Sequence, residues 1–377
     1  MASANANLHK AKDAKNDEFY TQLTDVAKEL MHYKAHFKDK IVLCNCDDPT
    51  WSAFWKYFHL NFAELGLKKL ISIHYDREET TYKMEYTGSD DNDIDVGVKT
   101  PLEGNGDFRN QECLDLLDEC DIVVTNPPFS LFREYAAVLM EHKKKFLILG
   151  NMNALTYKEI FPLIRDNQLW YGASIHSGDR KFYVPDDYPL KASGCGIDEN
   201  GRKFIRVKGV RWYTNLDYKA RHEKLVLWKN YTPEEYPKYD NYDAINVNKY
   251  SEIPCDYDGV MCVPITFIDY YCPEQFEIVA FRKGDDGKDL VFTREREREF
   301  NRTFVSLYDV DSRDDKKRRR QNQWEAYLRE NNNQTKIEPI DYFYPLSIKS
   351  RAAGIMNGLI NGKETYRRIL ICRKGTN

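Results

Sequence analysis

Between Asp17 and Phe37, apolar side chains recur every three or four residues, at Leu23, Val26, Leu30, Tyr33 and Phe37, with polar residues between them. That spacing lines one face of a helix, so an amphipathic α-helix is predicted there. The pattern then changes to short apolar runs: IVLCNC at 41–46, LISIHYD at 70–76, DIVVTN at 121–126 and FLILGN at 146–151. Such runs, bounded by turn residues, are expected of strands buried on both faces. Helical patterns separate them: Trp51, Phe54, Trp55 and Phe58, then ECLDLLDEC at 112–120, then the stretch after Asn126-Pro127-Pro128-Phe129. Residues 77–105, polar and rich in Asp, Gly and Thr, form an inserted hairpin or loop. Strands and helices in alternation predict an α/β fold with a doubly wound, mostly parallel, Rossmann-like sheet. After about residue 170 the rhythm is lost until TYRRILICRK, which predicts a final strand.

These shifts divide the chain into a small polar arm (1–16), an α/β domain (17–185), an aromatic and basic region (186–340) and a C-terminal segment (341–377) that returns to the first sheet. With 377 residues, 42% apolar and 14% aromatic, the chain has ample material for a core, which excludes wholesale disorder. A mean hydropathy of −0.69 and the lack of an apolar run near 18 residues exclude a membrane-spanning helix. The first residues contain no apolar stretch of the secretory kind. Nine cysteines without framework spacing point to a reducing cytoplasm and free thiols. Cys44 and Cys46, and Cys113 and Cys120, lack the C-x2-C pairing of zinc sites, so no metal is expected.

The net charge of −4, taken alone, argues against a nucleic-acid partner, but its distribution points the other way. Residues 201–230 hold nine Lys and Arg against two acids, and residues 281–377 hold 22 against 15. Arg202, Arg206, Lys208 and Arg211 interleave with Trp212 and Tyr213, and Lys316, Lys317, Arg318, Arg319 and Arg320 form a basic run. These are candidate DNA contacts, a solvated charged face being the plainer alternative. The Arg/Glu alternation at 294–299 suits pairing along a helix.

Ligands of a doubly wound sheet bind at the carboxyl ends of its strands, and one such exit carries Asn126, Pro127, Pro128 and Phe129. Two prolines stiffen the turn and remove backbone donors, leaving carbonyls and one side-chain amide in fixed positions beside an aromatic ring. The Asn126 side-chain oxygen and the Pro127 carbonyl can accept both hydrogens of an amine conjugated to a planar ring, and Phe129 can stack on that ring. The plainer reading is a proline-rich turn closing a buried strand.

DEFYTQ (17–22), VLCNCDDP (42–49), HYD (74–76), GDF (106–108), NPPF, NMNAL, KFYVP (181–185), VKGVRWYTNL (207–216), VPITFIDYY and the terminal RRILI follow one another in an order that resembles the EcoRI-type adenine-specific DNA methyltransferases, a group of S-adenosylmethionine-dependent amino-methyltransferases. The resemblance covers most of the chain, more loosely after residue 300. It implies that Tyr20 and Thr21 hold the methionine end of the cofactor and that Asp47, Asp48 and Pro49 line the first strand's exit. It further implies that Asp76 accepts from the ribose hydroxyls, Asp107 from the cofactor's adenine amine, and that Phe108 packs on that ring. A departure is the absence of the glycine-rich turn after the first strand, replaced here by CDDPTW. Which of Asp47, Asp48 and Pro49 touches the cofactor is therefore open.

The resemblance implies a site-specific enzyme that flips an adenine out of duplex DNA and methylates N6, with Asn126, Pro127 and Phe129 at the reaction centre. Phe182 or Tyr183 would cover the base's other face, or pack in the core. A monomer in the cytoplasm is expected, with a cognate restriction endonuclease acting on the same site without a stable complex. GAATTC or a related sequence is the site implied. The rival expectations are another amine substrate, such as RNA adenine or protein glutamine, and a catalytically silent DNA-binding protein.

Overall fold

The computed structural model describes residues 19–76, 81–88, 96–186, 188–190, 194–239, 244–281, 359–360 and 363–375. The N-terminal arm, the alternation at 294–299 and the basic run from Lys316 to Arg320 lie outside the described residues. The chain forms two compact units, Met1–Ile160 with Gln168–Arg221, and Phe161–Asn167 with His222–Asn377.

The first unit contains α1 (Leu23–Leu30), β1 (Ile41–Cys44), α2 (Ala53–Leu60), α3 (Phe62–Leu65), β2 (Lys69–Ile73), β3 (Tyr82–Tyr86), β4 (Val98–Pro101), α4 (Gln111–Glu119), β5 (Ile122–Thr125), α5 (Phe132–Glu141), β6 (Lys145–Asn151), β7 (Trp170–Tyr171), β8 (Asp179–Tyr183), β9 (Gly196–Ile197), β10 (Lys203–Lys208) and β11 (Val210–Thr214). The four apolar runs of the sequence become β2, β1, β5 and β6, paired in parallel in that order. Every residue of β1 and β5 is buried, as strands covered on both faces require. The inserted segment supplies the antiparallel hairpin β3–β4 on one edge. On the other, β11 and β7 extend the sheet antiparallel, giving the order β4-β3-β2-β1-β5-β6-β11-β7.

The first predicted helix is shorter than its periodicity. After α1 the chain tightens into a 3-10 turn at Lys34–His36, yet Val26, Leu30, Tyr33 and Phe37 are all fully buried. Ser52 caps α2 by accepting from the Phe54 and Trp55 amides, and Gly66 (φ +63°) ends α3 in the left-handed conformation. Alongside this sheet, β8, β10 and β9 form a small antiparallel sheet, tied to the start of the chain by the bridge between Tyr20 and Tyr183.

In the second unit, α6 (Phe161–Arg165) packs against β14 (Phe276–Phe281), with the rings of Phe161 and Phe281 5.3 Å apart. Its sheet also holds β12 (Ala244–Asn246), β13 (Val260–Val263) and β17 (Ile369–Arg373); β15 (Leu359–Ile360) and β16 (Lys363–Glu364) form a separate hairpin. The final strand predicted from RRILI is β17, but it lies between β13 and β14 and not in the first sheet. Conversely β11, from the region assigned to DNA recognition, belongs to the first sheet. An open edge of β6 needs a pairing strand, and VRWYT, with all five residues buried, provides it.

Candidate active site at the strand exits

β5 ends at Thr125, and in the turn that follows Asn126 is held through its amide N–H and its side-chain NH2. The Asn126 amide N–H donates to Asp47 Oδ2 (3.4 Å), and Nδ2 donates to the carbonyl of Phe19 (2.5 Å). A carbonyl partner requires the NH2 group on that side, which settles the amide's orientation. Oδ1 then remains: Asn126 is 8% exposed, and this acceptor is buried without a hydrogen-bond partner among the described residues. A buried acceptor left open is uncommon and costs about 1–3 kcal/mol, so its presence calls for a donor that arrives with a ligand. Pro127 is buried and Phe129 half-buried, its ring edge-on to Phe19 at 5.8 Å and to Phe182 at 6.3 Å.

The two acids after β1 face different neighbours. Asp47 Oδ2 accepts from Thr125 Oγ1 (2.5 Å) as well as from Asn126. Burial pushes Asp47 up to about 7, while the Thr125 hydroxyl and the Asn126 N–H pull it back. Asp48 turns towards the inserted hairpin. Its carboxylate accepts from Tyr82 Oη (3.2 Å) and from both the amide (2.9 Å) and hydroxyl (2.7 Å) of Thr50, with His74 Nε2 3.7 Å away.

β2 leads to Asp76, whose amide donates to the carbonyl of Asn105 (3.0 Å), so the second strand's exit lies against the GDF segment. Gly106 (φ +78°) makes this approach possible, because a Cβ there would collide with the carbonyl of His74. Asp107 is held by Arg109, through Nε at 2.9 Å and Nη2 at 2.7 Å, and the guanidinium keeps its carboxyl below the usual range. It is thus an ionised acceptor at neutral pH. Phe108 is buried edge-on to Tyr135 at 5.0 Å, and Tyr135 Oη donates to Asn45 Oδ1.

The FYTQ segment crosses beside these exits. Phe19 receives the Asn126 amide, Tyr20 pairs through its backbone with Tyr183, and Thr21 Oγ1 and Gln22 Nε2 are buried without partners among the described residues. The open hydroxyl and amide are groups this segment can offer a ligand, and the ionised Asp107 is an acceptor for a donor group. Among the described residues no cluster of three His, Cys, Asp or Glu side chains is placed to hold a metal ion. Cys44, Cys113 and Cys120 are buried free thiols, raised by burial.

The expected base-stacking and DNA contacts divide. Phe182, 1% exposed, packs against Phe19 and Phe129, so of its two readings the structure shows core packing. Tyr183 is half-buried, with the Arg202 guanidinium 3.8 Å from its ring and its hydroxyl donating to Asp198. Arg202, just before β10, and Arg206 and Lys208 on it are exposed to solvent, Arg206 paired with Asp179 at 3.1 Å. Arg211, Trp212 and Tyr213 do not line a DNA surface. They lie inside β11, where Arg211, 3% exposed, donates to the carbonyls of Val210 and His176. Sequence alternation suggested a basic aromatic surface, but that strand is buried throughout, with Phe54 of α2 against Trp212 and Phe132 of α5 against Tyr213. Thr125, Phe19 and Arg109 escaped the sequence reading because each acts through a partner remote in the chain or through an unremarkable residue type. Their adjacency to NPPF, FYTQ and GDF was the available signal.

A mostly parallel sheet whose carboxyl ends present an open amide acceptor in a proline-stiffened turn, an adjacent ring and several acceptor acids has the make-up of an enzyme that methylates an amine on a planar ring. The family described as adenine-specific methyltransferase EcoRI matches residues 7–374, and the chain belongs to that family. It is 50% identical over 303 residues to the Type II methyltransferase M.EcoRI of Escherichia coli, covering 76% of this chain and 93% of that protein. It is 42% identical over 276 residues to the Type II methyltransferase M.MpnI of Mycoplasma pneumoniae, covering 72% and 84%. It is 39% identical over 279 residues to the Type II methyltransferase M.MgeORF184P of Mycoplasma genitalium, covering 72% and 85%. No solved structure matches the chain. Its activity is methylation of adenine in DNA, which needs a methyl donor. Among the described residues, no helix is long and apolar enough to cross a membrane.

Proposed function

We propose that this protein binds a specific duplex sequence, turns one adenine out of the stack and transfers a methyl group from S-adenosylmethionine to its N6, without a covalent enzyme intermediate. The observation that carries the reading is Asn126 Oδ1, a buried acceptor whose residue has its other polar side-chain and amide groups already engaged. Oδ1 accepts one N6 hydrogen and the Pro127 carbonyl the other. Two acceptors draw the nitrogen away from conjugation with the ring and raise the density of its lone pair, in a site whose dipoles are already oriented. Phe129 stacks on the extruded base, offsetting part of the few kcal/mol that flipping costs.

S-adenosylmethionine supplies, when bound, a methyl group activated by its positive sulfur. Tyr20, Thr21 and Gln22 would hold its amino-acid end, Asp48 and Pro49 would line the first strand's exit, and Asp76 would take the ribose hydroxyls. Asp107 would accept from the adenine amine, with Phe108 behind it. Arg202, with Arg206 and Lys208 on β10, would position phosphates, joined by Lys316, Lys317, Arg318, Arg319 and Arg320. A monomer working in the cytoplasm suffices for this chemistry, and a cognate restriction endonuclease sharing the site, without a stable complex, would be its biological partner.

The test is methylation of random-sequence duplex DNA, with RNA and protein offered in parallel, followed by mapping of modified adenines. Methyl groups should appear on adenines of one short sequence in duplex DNA. Asn126→Ala should lose at least about 100-fold in transfer rate while binding DNA within a few-fold of the unsubstituted enzyme. Near-normal methylation by that variant, a flat distribution over all adenines, or incorporation into RNA or protein instead would overturn the reading.

A further inference from the structure

We infer that Asp47 and Thr125 are positioning residues for methyl transfer, a stitch between the first and fifth strands that holds the Asn126 acceptor in place and does not itself bind the cofactor. The inference rests on the proposed role of Asn126. β1 and β5 are parallel neighbours, with Val42 opposite Ile122 and Leu43 opposite Val123. Beyond their ends, side chains replace the ladder. The Cys46 amide donates to Thr125 Oγ1 (3.2 Å), Thr125 Oγ1 donates to Asp47 Oδ2 (2.5 Å), and the Asn126 amide donates to that same oxygen (3.4 Å). A hydroxyl at position 125 can, through one oxygen, accept from the Cys46 amide and donate to the Asp47 carboxylate, joining the end of β5 to the loop after β1 at two successive residues. Ser72 Oγ on β2 donates to the Asp47 carbonyl (2.6 Å), so the loop carrying the carboxylate is fixed from the opposite side as well.

Asn126 is consequently pinned at two points, its amide by Asp47 and its Nδ2 by the Phe19 carbonyl. Its open Oδ1 can occupy one place only while both hold. The glycine-rich exit that lets backbone approach a ligand closely in related sheets is missing here. A carboxylate turned inward onto the catalytic turn stands in its position. Because the buried Asp47 titrates near neutrality, an amide at 47 is a close electrostatic as well as steric substitute, and its carbonyl can still accept from Thr125 and Asn126.

Single-turnover methyl transfer to duplex DNA, at saturating S-adenosylmethionine, tests the stitch alongside separate measurement of cofactor and DNA dissociation constants. Asp47→Ala and Thr125→Val should each slow transfer by about 10- to 100-fold, the scale of a displaced reacting group. Asp47→Asn and Thr125→Ser should recover to within about threefold of the unsubstituted rate, with every dissociation constant changed by no more than that. The double variant Asp47→Ala with Thr125→Val should be no slower than the slower single one, as groups acting through one contact behave. A cofactor dissociation constant that rises in Asp47→Ala as far as its rate falls would show direct cofactor contact and overturn the inference. Unchanged rates, or an Asn variant as slow as the Ala variant, would do the same. Should Asp47→Ala fail to fold, the contrast between Thr125→Val and Thr125→Ser decides. Transfer by the unsubstituted enzyme in the same assay upholds the proposed function however the variants behave, and its absence would count against that function and not against the stitch.

Discussion

Asp47 shows at the residue scale how a site's needs and the fold's stability diverge. Its carboxyl titrates near 7 in the folded protein, against an ordinary value near 4, so between those limits the folded state binds the extra proton. Its contribution is fully favourable below about pH 4 and is lost as pH rises through about 7, a penalty of at most about 4 kcal/mol. Asp47→Asn should therefore leave unfolding near neutral at pH 4 and stabilise the protein by about 1–4 kcal/mol at pH 8. Denaturant midpoints of the two proteins across that range, separating as pH rises, are the expected outcome. Midpoints that stay together would show that burial does not penalise this carboxylate. Asp107 illustrates the opposite case: Arg109 holds it ionised, so it should serve as an acceptor well below neutral pH.

At the scale of elements, α1 is fastened to the sheet by a buried acid. Glu29, fully buried, accepts from Tyr33 Oη (2.8 Å) and from the amides of Ala173 and Ser174 (2.7 Å each). The segment after β7 comes this close because Gly172 lacks a Cβ, which would collide with Glu29 and with Trp212 Cβ at 2.5 Å. Glu29→Ala leaves three donors without an acceptor and should cost about 2–5 kcal/mol, whereas Glu29→Gln, keeping one carbonyl, should cost less. Urea unfolding of both variants checks the order. The sequence pattern predicted α1 from its apolar face but gave Glu29 no special place, because its two amide partners lie 144 and 145 residues away. β11 carries the same lesson: Arg211, Trp212 and Tyr213 resemble a nucleic-acid surface until the sheet edge they complete is known.

For the whole molecule, charge distribution matters more than the net −4. Of the interleaved residues at 202–213, Arg202, Arg206 and Lys208 remain at the surface as candidates for phosphate contact, while Arg211 is internal. Replacing Arg206 by Ala should weaken DNA binding similarly on all sequences and reduce the slope of log affinity against log salt by about one. Binding isotherms from low to moderate salt provide the check, and an unchanged slope would remove Arg206 from the interface.

The sequence by itself determined the parallel four-strand centre, an insertion after β2 that could be hairpin or loop, and the NPPF turn at a strand exit. These follow from local periodicity and from residues whose backbone constraints act where they stand. It also indicated the family, through the order of its motifs. Only the tertiary structure decided that Asp47 faces the NPPF turn and Asp48 the hairpin, that Asn126 keeps one acceptor open, that Phe182 and Trp212 are core, and that β17 joins the second unit's sheet. Each of these depends on which groups meet across long stretches of chain. Burial and hydrogen-bond partnership are properties of the assembled neighbours, and the residue type alone does not contain them.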